Sequence, residues 1–108
     1  MKKRLSPDKF RIPVDEIKSG FYSDSYFLRT REILLKDNHR PRVMMQVFQR
    51  QHATVCGIDE AIAIIKKCAY NPDNLIIKAL HDGDQIEPWE TVMTIEGDLT
   101  DFSHLETV

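Results

Sequence analysis

The chain lacks the residue patterns that mark several common functions. Its four glycines stand alone at positions 20, 57, 83 and 97. No glycine-rich loop can therefore cradle a phosphate chain with backbone N–H groups, and autonomous nucleotide binding is not expected. The two cysteines, Cys56 and Cys68, form no C-x-x-C pair and have no histidine pair nearby, so two buried free thiols are expected rather than a metal site. His39, His52, His81 and His104 are scattered, and none stands at i, i+3 or i, i+4 from another metal ligand on an expected helix. Excess positive charge is missing too: a net charge of -2 argues against nucleic acid as the main partner. No apolar run is long enough to span a bilayer, and none follows the basic Met1-Lys2-Lys3-Arg4 cluster as a secretory signal would require. That cluster reads as solvated, and the expected location is cytoplasmic.

What is present is the material of one small domain. With 108 residues, 42% hydrophobic and 30% charged, the chain can build its own core but has no room for an elaborate catalytic insert. Residues 1–13 hold Pro7 and Pro13 and little periodicity, so they read as an arm. Residues 14–18 suit a short helical turn that Gly20 breaks. A second helix follows, capped by Ser23 or Asp24, with Tyr26, Phe27, Thr30, Ile33 and Leu34 as its apolar stripe. Residues 43–49 alternate with period two, which predicts a strand, and residues 53–56 predict a second short one. Gly57 then opens a helix capped by Asp59, whose face is Ala61, Ile62, Ile65, Cys68 and Ala69. The last third reads as β: an apolar run over 75–80, a reversal at Asp82-Gly83-Asp84, and a second run over 91–96. The expected class is α+β, helices first and then a small β barrel or sandwich with a helix inserted between its strands.

Two local patterns bear on function. Gly20-Phe21-Tyr22-Ser23-Asp24-Ser25-Tyr26-Phe27 packs tyrosines, hydroxyls and a carboxylate at a helix start, where an aromatic face and directional polar groups can hold a planar ligand. The alternative reading is structural: Ser23 or Asp24 merely caps the helix and Tyr26 is core. The final Ser103-His104-Leu105-Glu106 has the spacing of a capping box, so it reads as the start of a helix that the chain does not continue, and as part of a longer protein. His81-Asp82-Gly83-Asp84 lacks the further carboxylates of a calcium loop and reads as a tight turn.

Leu80-His81-Asp82-Gly83-Asp84-Gln85-Ile86-Glu87-Pro88-Trp89-Glu90-Thr91-Val92-Met93 resembles the barrel-sandwich hybrid folds of biotinyl and lipoyl carriers. No lysine follows Lys78, so the attachment chemistry of a carrier is absent and only the β shape is implied. A broader resemblance runs from Ile17 to Val108. It rests on Ile17-Lys18-Ser19-Gly20-Phe21-Tyr22-Ser23-Asp24-Ser25-Tyr26-Phe27, on Arg42-Val43-Met44-Met45-Gln46-Val47-Phe48, on Cys56-Gly57-Ile58-Asp59-Glu60-Ala61, and on Ile95-Glu96-Gly97 with His104-Leu105-Glu106-Thr107-Val108. These segments resemble the N-terminal domain of nicotinate phosphoribosyltransferases.

The resemblance implies an α+β domain of the hammerhead or barrel-sandwich hybrid type, as in nicotinate and quinolinate phosphoribosyltransferases. Residues 1–13 would form an arm, 14–102 the domain, and 103–108 the start of a missing α/β barrel. It implies an enzyme joining nicotinate to 5-phosphoribosyl-1-diphosphate, with ATP and Mg in the complete protein and no cofactor bound by this part. It also implies a homodimer or higher oligomer in which Tyr26 stacks on the pyridine ring in a neighbouring subunit's site. Asp24 would lie beside the substrate, with Tyr22, Ser23 and Ser25 as weaker substrate-binding candidates. No catalytic residue and no metal ligand is assigned to this chain, which would be inactive alone. The alternatives are a stand-alone binding or assembly module, or a relative specific for nicotinamide or quinolinate.

Overall fold

The computed structural model describes residues 3–108. After a 3-10 turn at Pro7–Lys9 come α1 (Val14–Ser19), α2 (Ser25–Lys36), β1 (Arg42–Phe48), β2 (Ala53–Thr54) and α3 (Ile58–Cys68). A 3-10 turn at Pro72–Asn74 leads to β3 (Ile76–Ala79), β4 (Gln85–Ile86), β5 (Thr91–Asp98), α4 (Leu99–Phe102) and a last 3-10 turn, Ser103–Leu105. The class is α+β, with α3 inserted between strands as expected.

β5 is the centre of a three-stranded antiparallel sheet, flanked by β1 and β3. Ile95 lies opposite Met45 on one side and Ile77 on the other. Paired on both edges, β5 buries Val92, Met93 and Ile95. β1 has only one neighbour, and the alternation read from the sequence leaves Val43 and Met45 half-buried and Met44 exposed. The helix α3 supplies Ile58, Ile62 and Ile65 to the same core, which Val55, Ile86, Val92 and Phe102 complete. A fully buried aliphatic side chain of this kind contributes about 1.5–3 kcal/mol.

Local expectations are met in part and corrected in part. The Asp82-Gly83 turn forms as expected, within the connection that reverses the chain between the antiparallel strands β3 and β5; that connection also carries β4, which pairs with β2 in a separate two-stranded ladder. The same turn also serves α3. The Asp82 carboxylate accepts from the N–H groups of Ile58 at 2.8 Å and Asp59 at 3.4 Å, capping the helix from a distant part of the chain. Asp59 is therefore not the cap; Gly57 holds that position with φ of 88°, a left-handed conformation that glycine adopts without strain. Buried inside the first turn, Asp59 accepts from the Leu5 N–H at 3.0 Å and faces the Arg4 guanidinium at 3.5 Å. Arg4 also donates to the carbonyls of Ala79 and Leu80, so it straps the arm to the sheet rather than standing in solvent. Of the rest of that basic cluster, Lys3 is exposed as expected, and Met1 and Lys2 lie outside the described residues. Cys68 is buried but Cys56 is exposed.

The stripe expected on α2 is also displaced. No residue of this helix is buried, and the half-buried positions are Phe27, Leu28, Arg31 and Leu34. Tyr26 and Ile33 face solvent at 58% and 65% exposure. Apolar residues lie around most of the α2 circumference, so periodicity alone does not select one face. At the end of the chain the capping box does not form: the Ser103 hydroxyl is buried and has no hydrogen-bond partner among the described residues. Residues 103–105 tighten into a 3-10 turn that directs Ser103 and His104 into the interior.

Candidate functional site

The α1–α2 connection is built around Gly20. Its φ of 92° lets α1 end in a left-handed cap, with the Phe21 N–H reaching back to the Glu16 carbonyl at 3.0 Å. A side chain there would be strained and would place its Cβ 2.7 Å from Leu28 Cδ1, so the residue also permits α1 and α2 to approach. The chain then turns through Ser23, whose N–H donates to the Gly20 carbonyl at 3.1 Å.

Two contacts clasp this loop to the end of the domain. The Ser23 hydroxyl donates to the His104 carbonyl, and the Asp24 N–H donates to Thr107 Oγ1 at 3.3 Å. Asp24 is the N-cap residue of α2, yet its carboxylate makes no capping hydrogen bond. Its two oxygens are left available, which sets aside the reading that Asp24 serves only as a side-chain cap. Tyr26 is not core; its ring lies 4.2 Å from that of Phe27 and stays more than half exposed. Desolvation, then the Asp24 and Glu106 carboxylates, push the Tyr26 phenol above its usual range. The edge is thus an open aromatic face in a locally negative field.

The other candidates are placed differently. Tyr22 turns back to α1, where its hydroxyl donates to Glu16 at 3.2 Å and that hydrogen bond raises its phenol. Ser23 is half-buried, with its hydroxyl engaged by His104, while Ser25 is exposed in the first turn of α2. Sequence reasoning did not place His104, Glu106 and Thr107 at this edge. The available signal was the motif-like His104-Leu105-Glu106-Thr107-Val108, read there only as a boundary. Among the described residues no three His, Cys, Asp or Glu side chains converge in a way that would hold a metal ion, and no helix is long and apolar enough to cross a membrane.

Two concavities accompany this edge. An apolar groove of about 440 Å³ lies where the sheet residues Met45, Met93 and Ile95 meet Ile65 of α3, with Leu105 and Val108 at its end. A smaller cleft of about 310 Å³ separates α1 from α2 and is lined by Lys18, Leu28, Arg31, Tyr70 and His104.

The α+β fold is that of a phosphoribosyltransferase N-terminal domain. The chain belongs to the family described as quinolinate phosphoribosyl transferase, N-terminal domain, whose model matches residues 24–108. It is similar to nicotinate-nucleotide pyrophosphorylase from Pyrococcus furiosus, with 31% identity and a TM-score of 0.73 over 99% of this chain and 27% of that one. The protein of the same description from Francisella tularensis shares the fold, with a TM-score of 0.54 at 12% identity, over 91% of this chain and 35% of that one. The chain therefore spans about a quarter to a third of the length of these proteins. No curated protein sequence matches it.

Proposed function

We propose that this chain is the substrate-edge domain of a nicotinate phosphoribosyltransferase acting in NAD biosynthesis in the cytoplasm. Residues 103–108 lead toward an α/β barrel that carries the catalyst. In this reading Tyr26 stacks on the pyridine ring of nicotinate in the site of a neighbouring subunit, and Asp24 orients the substrate. The observation that carries it is the conformation of the Ser23–Tyr26 loop, clasped by His104 and Thr107 while the Tyr26 ring and the Asp24 carboxylate remain open. Stacking suits an electron-poor ring, because an offset aromatic face offers it electron density. Nothing in the loop neutralises the substrate carboxylate, so that cation comes from the barrel. The apolar groove ending at Val108 is the surface the barrel would cover.

The description of the matching family favours quinolinate as a second reading. The negative field at Tyr26, set by Asp24 and Glu106, weighs against it, since a dicarboxylate is repelled more than a monocarboxylate. The test is a turnover assay with nicotinate or quinolinate, 5-phosphoribosyl-1-diphosphate, ATP and Mg. It is run on the chain alone and on the chain joined to an α/β barrel of the same family. Nicotinate turnover only by the joined protein, with Tyr26→Ala raising KM at least about tenfold, is the expected result. Turnover by the chain alone, or preference for quinolinate, refutes the corresponding part of the reading.

A further inference from the structure

The α1–α2 cleft is a different place from the Tyr26 edge. Leu28, Arg31, Glu32 and Leu35 recur at three- and four-residue spacing and line it, which puts Tyr26, Thr30 and Ile33 on the opposite side of the same helix. We propose that this cleft binds a small oxyanion, a carboxylate or a phosphate-type group, through Lys18, Arg31 and His104, and that one proton is taken up by His104 on binding.

The charges in the cleft are unbalanced. Neither Lys18 nor Arg31 has a carboxylate partner among the described residues. The one acid in the lining, Glu32, is held by Lys36 at 2.9 Å. Arg31 is fixed rather than floating: its Nε donates to the Thr100 carbonyl at 2.7 Å and its guanidinium lies 3.8 Å from the Tyr70 ring centroid. That leaves the terminal N–H groups of its fork without a hydrogen-bond partner among the described residues, and two parallel N–H donors match the spacing of carboxylate and phosphate oxygens. The Lys18 ammonium stands 5.5 Å from the same ring.

His104 adds an independent observation. It is 1% exposed, lines the cleft, and its Nε2 lies 2.8 Å from the Cys68 carbonyl. A carbonyl only accepts, so Nε2 carries the proton and Nδ1 is a bare acceptor, and Nδ1 has no partner among the described residues. An orphaned buried polar atom costs about 1–3 kcal/mol, a cost that a ligand removes. The groups facing this imidazole are Lys18 from α1, Arg31 from α2, Cys68 from α3, Tyr70 with its ring centroid 5.0 Å away, and Asp101 from α4. Burial is the largest influence and lowers its pKa; the Cys68 carbonyl opposes this, Arg31 and Lys18 add to the lowering, and Asp101 opposes it weakly. An anion between Lys18 and Arg31 reverses the cationic part of that field. A solvent proton then adds to Nδ1, which becomes a donor to the anion while Nε2 keeps its bond to Cys68.

The test is an NMR titration of the 108-residue chain with sodium sulfate, and separately with sodium acetate, at pH 6 and pH 8 and at ionic strength held constant with sodium chloride. Sulfate keeps its charge over this range, so any pH dependence belongs to the protein. Saturable shifts at Lys18, Arg31 and the His104 ring are expected, with binding about tenfold tighter at pH 6 than at pH 8. Lys18→Gln, at a side chain with no partner among the described residues beyond the Tyr70 ring, should weaken binding about tenfold while leaving the melting temperature unchanged. Should that variant fail to fold, Arg31→Lys, which keeps the charge and loses the fork, is expected to weaken binding by a similar factor. Saturation by sulfate alone assigns a phosphate-type ligand, and saturation by acetate assigns a carboxylate. Shifts that never saturate, that chloride reproduces, or that ignore both pH and these substitutions overturn the proposal. None of these outcomes depends on nicotinate turnover, so the cleft and the Tyr26 edge stand or fall separately.

Discussion

Helices α2 and α3 have nearly the same length, 12 and 11 residues, and opposite fates. α3 buries six of its residues, Ile58, Ile62 and Ile65 among them in the core shared with the strands, and has its N-terminus capped by Asp82 from across the domain. α2 buries none, keeps Ile33 and Tyr26 in solvent, and is held chiefly by its ends and by Arg31. One helix holds the domain together and the other is held by it. An element that contributes little to the core is free to present an aromatic edge and to border a cleft, because its surface is not committed to packing.

Substitutions that separate the two helices would test this contrast. The largest effect is expected for Ile62→Ala on the buried face of α3, about 2–5 kcal/mol of lost stability by urea denaturation, since the cavity relaxes only in part. An effect below about 1 kcal/mol there would mean that α3 is not the structural partner. Next comes Asp82→Ala, which frees two N–H groups of α3 and should cost about 1–2 kcal/mol in the same measurement.

A smaller and pH-dependent effect should arise at His104. Its folded pKa lies below the ordinary 6.5 because burial disfavours the imidazolium, so the unfolded chain binds the proton more readily. Stability is then fully present above the unfolded value and is lost as pH falls through 6.5 toward the lower folded value. Melting temperatures followed across this window should fall with pH, and saturating sulfate should flatten the slope. The smallest effect is reserved for Ile33→Ala on α2, within about 0.5 kcal/mol by urea denaturation despite the loss of a large apolar side chain. A loss comparable to that of Ile62→Ala would abolish the distinction between the helices.

Much of this arrangement was legible in the residue pattern. The period-two run in β1 and the apolar face of α3 are local properties of consecutive residues, and both appear in the fold with shifts of only a few residues. The glycine at position 20 ends α1 because the left-handed conformation needs no partner elsewhere in the chain. That the Gly20–Phe27 loop exposes aromatic and polar groups together follows in the same way from their adjacency in the sequence. What was misread depends on partners far away. Asp59 has the composition of a cap, but Asp82 occupies that role across 24 residues. Ser103 and Glu106 have capping-box spacing, but the interior claims Ser103.

The sequence by itself determined the α+β class, the positions of the main helices and strands, and the loop that carries Asp24 and Tyr26, because hydrophobic period, glycine placement and residue adjacency act over a few residues. Only the tertiary structure decided which face of α2 meets the domain, that the Asp82 turn caps α3, and that His104 supports the Ser23 loop with its carbonyl while lining the cleft between α1 and α2. Those outcomes are set by long-range burial and by the need to satisfy buried polar groups, which no local pattern encodes.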